Sequence, residues 1–440
     1  MVPGGLARPG TRADVGSQHA SESHAARTPV TREIHLHPRA AGAGMSSHAP
    51  RALVVSGHTM ALAVVRALGE AGVPVGVLHY DARDMAQASR YVVEDGRVPH
   101  PLHDEERFVG ELMQRAPGYE RPLLVPASDE SLVALSRHAD ALSSGYVVAC
   151  AAWDVVRRVI DKSCTYEVAE RSGVAAPRTR VPRSGADLEV QAAEIGFPLL
   201  LKPAESHRFY ERFGRKMVRV ETLAALHAAY AAAVDAGLSV MVQEIIPGPD
   251  DLVVNYNAYT WDGVPRAEFT ARQVRKAPPQ FGSPRVVLAE RIPGVIEPGR
   301  RILAALGFSG FACTEFKLDP RTGSYVLMEV NGRHNLSGLL AVRSGVNFPL
   351  LQYRHLMEGV LPNAPSSPRY GLYWTDAFRD VGYNVAGLRR ERYGAAEYLR
   401  PYAARHCDAI LDRRDPGPSL VRLLYLARHL RVLARSAGRS

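Results

Sequence analysis

Two acidic residues on neighbouring alternating segments are the part of this sequence best suited to chemistry. Residues 311–318 and 325–330 each alternate in the manner of a strand, and Asp319-Pro-Arg-Thr-Gly323 between them has the composition of a tight turn. If Asp319 pairs with Tyr325 across that turn, Glu315 falls opposite Glu329 on one face of a hairpin. Opposed residues hold their Cβ atoms about 4.5–5.5 Å apart, so the two carboxylates repel and one pKa rises unless a cation lies between them. Asn331 follows on the same face, which gives two carboxylates and an amide oxygen, a hard-oxygen donor set suited to Mg²⁺. Arg333 stands close enough to reach an anion held there. The alternative is a solvent-facing strand pair with ordinary surface charges. Phe311, Cys313, Tyr325 and Leu327, counted on the same face, argue against full exposure.

Lysines come next, because a compact point charge suits phosphate oxygens. Lys162 opens a helix, Lys202 ends an apolar strand before Pro203, and Lys216 precedes another strand. Each alone could be a surface residue. Ser56-Gly57-His58-Thr59 follows a first strand, where nucleotide-binding folds place a phosphate loop, yet it is not the GxGxxG fingerprint. Asp129 and Glu130 follow a strand ending at Val125. They either line a ligand crevice or cap a helix.

The elements that must position these groups fall into regions. Residues 1–48 are rich in Ala, Gly, Pro, Ser, His and Arg without lasting periodicity and read as disordered. Met45 stands just before the first strand. Translation starting there would leave residues 1–44 outside the native protein, which N-terminal peptide mapping decides. From Arg51 onward, strand, helix and strand alternate through residue 150, the pattern of a parallel α/β sheet with right-handed crossovers. Residues 151–365 are mixed: strands at 197–202, 217–220 and 239–246 around a helix at 222–236, then extended segments at 252–260, 264–272, 311–318 and 325–330. Residues 366–440 carry less pattern until a basic amphipathic helix over 419–434. Its Leu423, Leu426, Leu430 and Leu433 form a stripe, either a membrane-surface face or a packing face against the protein or a dimer partner.

Taken together, Lys162, the Phe197–Pro203 strand ending in Lys202, Val242-Gln-Glu-Ile-Ile-Pro-Gly248, and Glu315 followed by Glu329-Val-Asn-Gly-Arg333 resemble the ATP-grasp superfamily. More narrowly, they resemble bacterial carboxylate–amine ligases akin to carbamoyl-phosphate synthase and D-aspartate ligase. The resemblance spans roughly residues 50–365. It implies an α/β and α+β chain: a Rossmann-like pre-ATP-grasp domain over 49–150, then an ATP-grasp domain over 151–365 with a mobile lid at about 185–240. It also implies roles. Lys162, Lys202 and Lys216 would touch ATP phosphates. Gln243, Glu244, Ile245 and Ile246 would form the adenine hinge, and Asp251 would face the ribose. Glu315, Glu329 and Asn331 would hold two Mg²⁺ ions, with Mn²⁺ as a substitute. Arg333 would stabilise the transferring phosphoryl group or the acyl-phosphate. The 56–59 loop and Asp129 would supply part of the acceptor site. Arg272, Arg275 or Lys276, just before a Pro/Gly loop, would bind substrate carboxylate or γ-phosphate, unless that loop is merely basic. One departure stands out. Where many family members carry a Gly/Ser-rich phosphate loop, residues 204–215 are bulky and basic, which leaves Arg208, Arg212, Arg215 or Lys216 to grip phosphates.

The activity so implied is ADP-forming ligation of a small carboxylate and an amine, amino acids by default, through an acyl-phosphate. Alternatives are a bicarbonate- or carbamate-phosphorylating carboxylase and an ATP-binding regulatory protein without turnover. A nicotinamide oxidoreductase lacks its glycine fingerprint. The net charge of +9 permits an anionic ligand without demanding nucleic acid. Cys150, Cys164, Cys313 and Cys407 are far apart and form no CxxC pair, against zinc or dithiol chemistry. No apolar run approaches the ~20 residues that span a bilayer, no secretory signal core opens the chain, and a cytoplasmic setting fits. A homodimer is the commonest prior for assembly.

Overall fold

The computed structural model describes residues 51–81, 84–204, 206–215, 217–361, 367–387 and 393–437. The expectations for residues 1–48, Met45 included, and for Lys216 lie outside the described residues, as do the side chains of Arg208, Leu430 and Leu433.

The first region forms a five-stranded parallel sheet. Its strands are β1 (Ala52–Val55), β2 (Val75–His79), β3 (Val92–Arg97), β4 (Leu123–Pro126) and β5 (Val147–Val148), in the order β3-β2-β1-β4-β5. A strand covered by helices on both faces needs apolar residues at every position, and β1 is Ala-Leu-Val-Val, all buried. Ala52 and Val54 pack on the helix Thr59–Gly69, while Leu53 and Val55 pack on Phe108, Leu112 and Leu135. Chain direction around the sheet reverses between β1 and β4. That reversal opens a crevice beyond their carboxyl ends, into which the 56–59 loop and the start of the helix Asp129–Arg137 project. Gly57 is required there: a Cβ on it would stand 2.2 Å from the Cβ of Asp84.

A small antiparallel sheet follows, ordered β6-β9-β7-β8, from β6 (Thr179–Arg180), β7 (Leu199–Pro203), β8 (Val218–Val220) and β9 (Val240–Glu244). The helices Gly185–Ile195 and Leu223–Asp235 cover one face, with Leu188, Leu199, Leu201, Leu226 and Val242 in their shared core. The segment read as a bulky phosphate loop contains a helix, Ser206–Phe213. Phe209 and Phe213, one turn apart, bring their rings within 4.6 Å.

The largest sheet has seven strands: β10 (Val253–Trp261), β11 (Val264–Ala277), β12 (Ser283–Ala289), β13 (Gly310–Asp319), β14 (Ser324–Asn331), β15 (Tyr373–Thr375) and β16 (His406–Asp408), in the order β14-β13-β10-β11-β12-β15-β16. The C-terminal residues therefore complete this sheet, β15 pairing antiparallel to β12 and β16 parallel to β15. A fully buried ion pair, Arg66 to Asp415 at 2.9 Å, ties the first region's helix to the C-terminal segment. The final helix, Gly417–Ala437, leaves Leu420, Leu423, Leu424 and Leu426 exposed. Among the described residues, no helix is long and apolar enough to cross a membrane.

Candidate active site

One cleft of about 600 Å³ gathers residues of the two antiparallel sheets and of the loops beyond the parallel strands. Its floor is the β13–β14 hairpin. Glu315 and Glu329 are direct ladder partners, but not by the route the sequence suggests. Asp319 pairs with Ser324 rather than Tyr325, so the turn is one residue tighter, and Met328 is an extra residue in a bulge that restores the register. The bulge also changes parity. Leu327 and Tyr325 lie with Phe316 and Val330 on the opposite face, against the helical core, while Phe311 and Cys313 belong to a different core. Asn331 lines the cleft beside Glu329.

Each carboxylate is met by a donor. Lys162, at the start of the helix Lys162–Arg171, forms an ion pair with Glu329. Burial alone would lower the Lys162 pKa, but the Glu329 carboxylate more than offsets it and holds the ammonium above its ordinary value. Gln273 of β11 donates to Glu315 Oε2 at 3.2 Å and to Asn255 Oδ1 at 2.7 Å. Tyr166, one turn beyond Lys162, donates its hydroxyl to the carbonyl of the bulged Met328 at 2.7 Å.

Lys202 is buried at the end of β7, where its Nζ donates to Gln243 Oε1 at 2.9 Å and to the Tyr166 hydroxyl at 3.3 Å. Gln243 itself is behind the wall, donating to Thr179 Oγ1 at 2.9 Å, so its side chain orients Lys202 rather than facing the cleft. Glu244, Ile245 and Ile246 do line it. Burial pushes the Glu244 carboxyl up, but Arg178 at 3.2 Å and Arg321 at 2.7 Å hold it below its ordinary value. Lys317 steadies the same segment by donating to the carbonyls of Ile246 at 2.9 Å and Gly248 at 2.8 Å. Burial, with neighbouring Lys276 second, lowers its pKa.

The first region closes the other side. Ser128 caps the helix Asp129–Arg137, which frees Asp129 for a two-point ion pair with Arg333, at 2.9 Å and 3.0 Å. Arg333 is thus aimed from the end of β14 by a residue 204 positions earlier. His58 lines the cleft and bonds Asp84 at 2.9 Å.

Besides Gln243, other expected residues stay outside the lining. Asp251 is exposed, and Arg272 is held by Glu290 at 2.7 Å and 2.8 Å while donating to the Asp251 carbonyl. Arg275 lies on the far face of β11, buried against Asp380. Only Lys276 of that basic trio reaches the cleft. The sequence reading overlooked Asn255, Gln273, Tyr166, Asp84 and Arg379. Asn255 and Asn257, alternating in an otherwise apolar β10, were the one available signal for a polar sheet face.

No family model matches the chain. Among characterised proteins, D-aspartate ligase of Enterococcus faecium is 28% identical over 270 residues, 58% of this chain and 63% of that protein. D-alanine–D-alanine ligase of Ectopseudomonas mendocina is 30% identical over 212 residues, 46% of this chain and 66% of that protein. The chain thus matches just under two thirds of the length of these relatives. Among solved structures, L-amino acid ligase of Bacillus licheniformis superposes with a TM-score of 0.56 at 18% identity, covering 70% of this chain and 74% of that one. Biotin carboxylase of Campylobacter jejuni gives 0.57 at 16% identity, covering 71% and 72%. The chain has the ATP-grasp fold of these solved structures. In ATP-grasp terms, the parallel sheet is the leading domain, the β6–β9 sheet stands over the cleft as the smaller lobe, and the seven-stranded sheet is its floor.

Proposed function

We propose that this ATP-grasp protein is an ADP-forming ligase that joins a small carboxylate to an amine through an acyl-phosphate. The observation that carries the reading is the convergence of Lys162, Lys202, the opposed Glu315 and Glu329, and Arg333 in one cleft whose far wall is the 244–246 segment. The sequence relatives that are themselves named ligases support it. The carboxylase alternative shares the fold, as the biotin carboxylase likeness illustrates, so substrate tests separate the two.

In this reading the nucleotide base lies along Glu244–Ile246, and Lys202, buried and oriented by Gln243 and Tyr166, meets the phosphates. Glu315, Glu329 and Asn331 are the residues that would hold Mg²⁺, two ions by the family pattern. Two opposed carboxylates and an amide oxygen fit a hard cation that takes its remaining ligands from water and phosphate. Bound there, the metal supplies neutralisation of phosphate charge. The chain's own groups do the rest. Lys162 adds positive charge beside Glu329. A substrate carboxylate oxygen attacks the γ-phosphorus, the bond to the β-phosphate oxygen breaks, and ADP leaves. The amine nitrogen then adds to the acyl carbon, phosphate departs, and the nitrogen gives up a proton. Arg333, locked by Asp129, is placed to stabilise the oxyanion formed in that second step. Regions 49–150, 151–365 and 366–440 each contribute to the cleft, and the lobe at about 185–240 acts as the lid that excludes water.

The test is ADP release with Mg-ATP and paired amino-acid pools, with and without bicarbonate, alongside Glu329→Gln. Release that needs a pool and falls about a hundredfold or more in the variant is the expected result. Release driven by bicarbonate alone would sink the ligase reading.

A further inference from the structure

The C-terminal segment reaches into the cleft. Its helix Ala377–Gly387 is fixed to the back of the large sheet at Asp380, whose carboxylate takes Arg275 Nη2 and Arg285 Nη1, each at 2.9 Å, with all three side chains no more than 2% exposed. Arg379, the residue before, turns to the cleft lining. Its Nη1 donates to the Pro284 carbonyl at 3.3 Å, and its ion pair with Asp376 is long, at 3.8 Å. A guanidinium carries five N–H donors, so most of its hydrogen-bonding capacity remains for a ligand.

Pro284 is the ladder partner of Lys276, so that bond brings the guanidinium beside the Lys276 strand position. Lys276 is 7% exposed and lines the same cleft, and its ammonium makes no hydrogen bond or ion pair among the described residues, while its carbonyl accepts from Arg285 Nε at 3.1 Å. A mostly buried lysine that lines a cleft with no counter-charge of its own is suited to an anion supplied there. The two cations at one end of a cleft ask for an anion from outside.

We propose that Lys276 and Arg379 form an oxyanion subsite, half of it supplied by the C-terminal segment, that holds a carboxylate or phosphoryl group of a bound substrate. The ligand's identity rests on the ligase reading: it is either the nucleotide's phosphate or the acceptor's carboxylate. A planar guanidinium beside an ammonium suits an oxyanion bridged between them.

The test uses the full chain and the variants Arg379→Gln, Arg379→Lys and Lys276→Met, with urea midpoints measured to confirm folding. Calorimetry reads ATP affinity, ADP release reads KM for the carboxylate pool, and mass spectrometry reads acylation of Lys276 with and without inorganic phosphate. We expect Arg379→Gln to weaken one ligand by about tenfold or more, with Arg379→Lys recovering part of the loss. A higher ATP dissociation constant with unchanged KM assigns the subsite to phosphate; the reverse assigns it to the acceptor. If neither constant moves beyond about twofold, the subsite is refuted. Should no pool drive turnover, the ligase reading fails on its own. Phosphate protection of Lys276 that vanishes in Arg379→Gln would still support the subsite, and absence of protection would overturn it.

Discussion

Asp380→Asn is the perturbation whose cost the structure fixes best. Exposed ion pairs contribute little, about 0–1 kcal/mol, but Asp380, Arg275 and Arg285 are buried almost completely. Removing one partner of a buried pair costs about 3–5 kcal/mol because the remaining charge stays desolvated. Here one carboxylate serves two guanidiniums, so its neutralisation leaves both exposed to that penalty. The rings of Tyr398 at 4.5 Å from Arg275 and Tyr383 at 4.9 Å from Arg285 offset only part of it, about 0.5–2 kcal/mol each. Asparagine keeps the shape and can still accept a bond, but it turns an amide N–H₂ toward the second guanidinium. A net loss near 3 kcal/mol is expected. With a urea slope of about 3 kcal/mol per M, the unfolding midpoint drops by ~1 M. Adding Arg275→Met to Asp380→Asn removes one uncompensated cation and should recover part of the drop. A midpoint within ~0.2 M of the parent, or a double variant weaker than the single one, would refute the reasoning.

Lys202→Met keeps the buried stem but removes the ammonium, so ATP affinity should fall about 10- to 100-fold by calorimetry; an unchanged constant would remove Lys202 from the nucleotide site. The His58–Asp84 pair makes a prediction about pH. The Asp84 bond raises the His58 pKa above 6.5, a contribution complete below that ordinary value and lost as pH climbs through the folded pKa. Asp84, lowered by His58 against the opposing effect of burial, contributes above the ordinary carboxylate range and loses that contribution as pH falls through its own folded value. NMR titration of His58 should give a midpoint above 6.5 that falls in Asp84→Asn; a native midpoint at or below 6.5 would contradict the geometry.

Local pattern carried the sequence reading as far as local pattern goes. Apolar runs such as Ala52–Val55 and Leu199–Leu201 mark strands covered on both faces, and the alternation around Asp319–Gly323 marks a hairpin. Lys162 and Lys202 stand out because each ends or begins an element beside the hairpin. What escaped were partners distant in sequence. Arg272 and Arg275 look alike in a basic run, yet Glu290, 18 residues on, captures one, and Asp380, 105 residues on, captures the other. Only the sheet's geometry leaves Lys276 facing the cleft. β15 and β16 have three residues each, too short for periodicity to register, so the segment carrying Arg379 had no visible place in the fold.

The opposed glutamates show why a correct pairing can follow from an incorrect turn. A tighter turn alone would have set Glu315 against Met328 and slipped every side chain beyond it to the other face. The bulge at Met328 cancels that slip only for residues past it, which is why Glu329 and Asn331 face the cleft while Leu327 and Tyr325 face the core. Tyr166 takes the Met328 carbonyl and accepts from Lys202. The irregularity that aims the carboxylates is therefore bonded to the lysine proposed for the phosphates. Floor and lobe share one hydrogen-bonded chain, from Gln243 through Lys202 and Tyr166 to the hairpin. Through this chain the position of the Lys202 ammonium is tied to the bulge that aims the carboxylates.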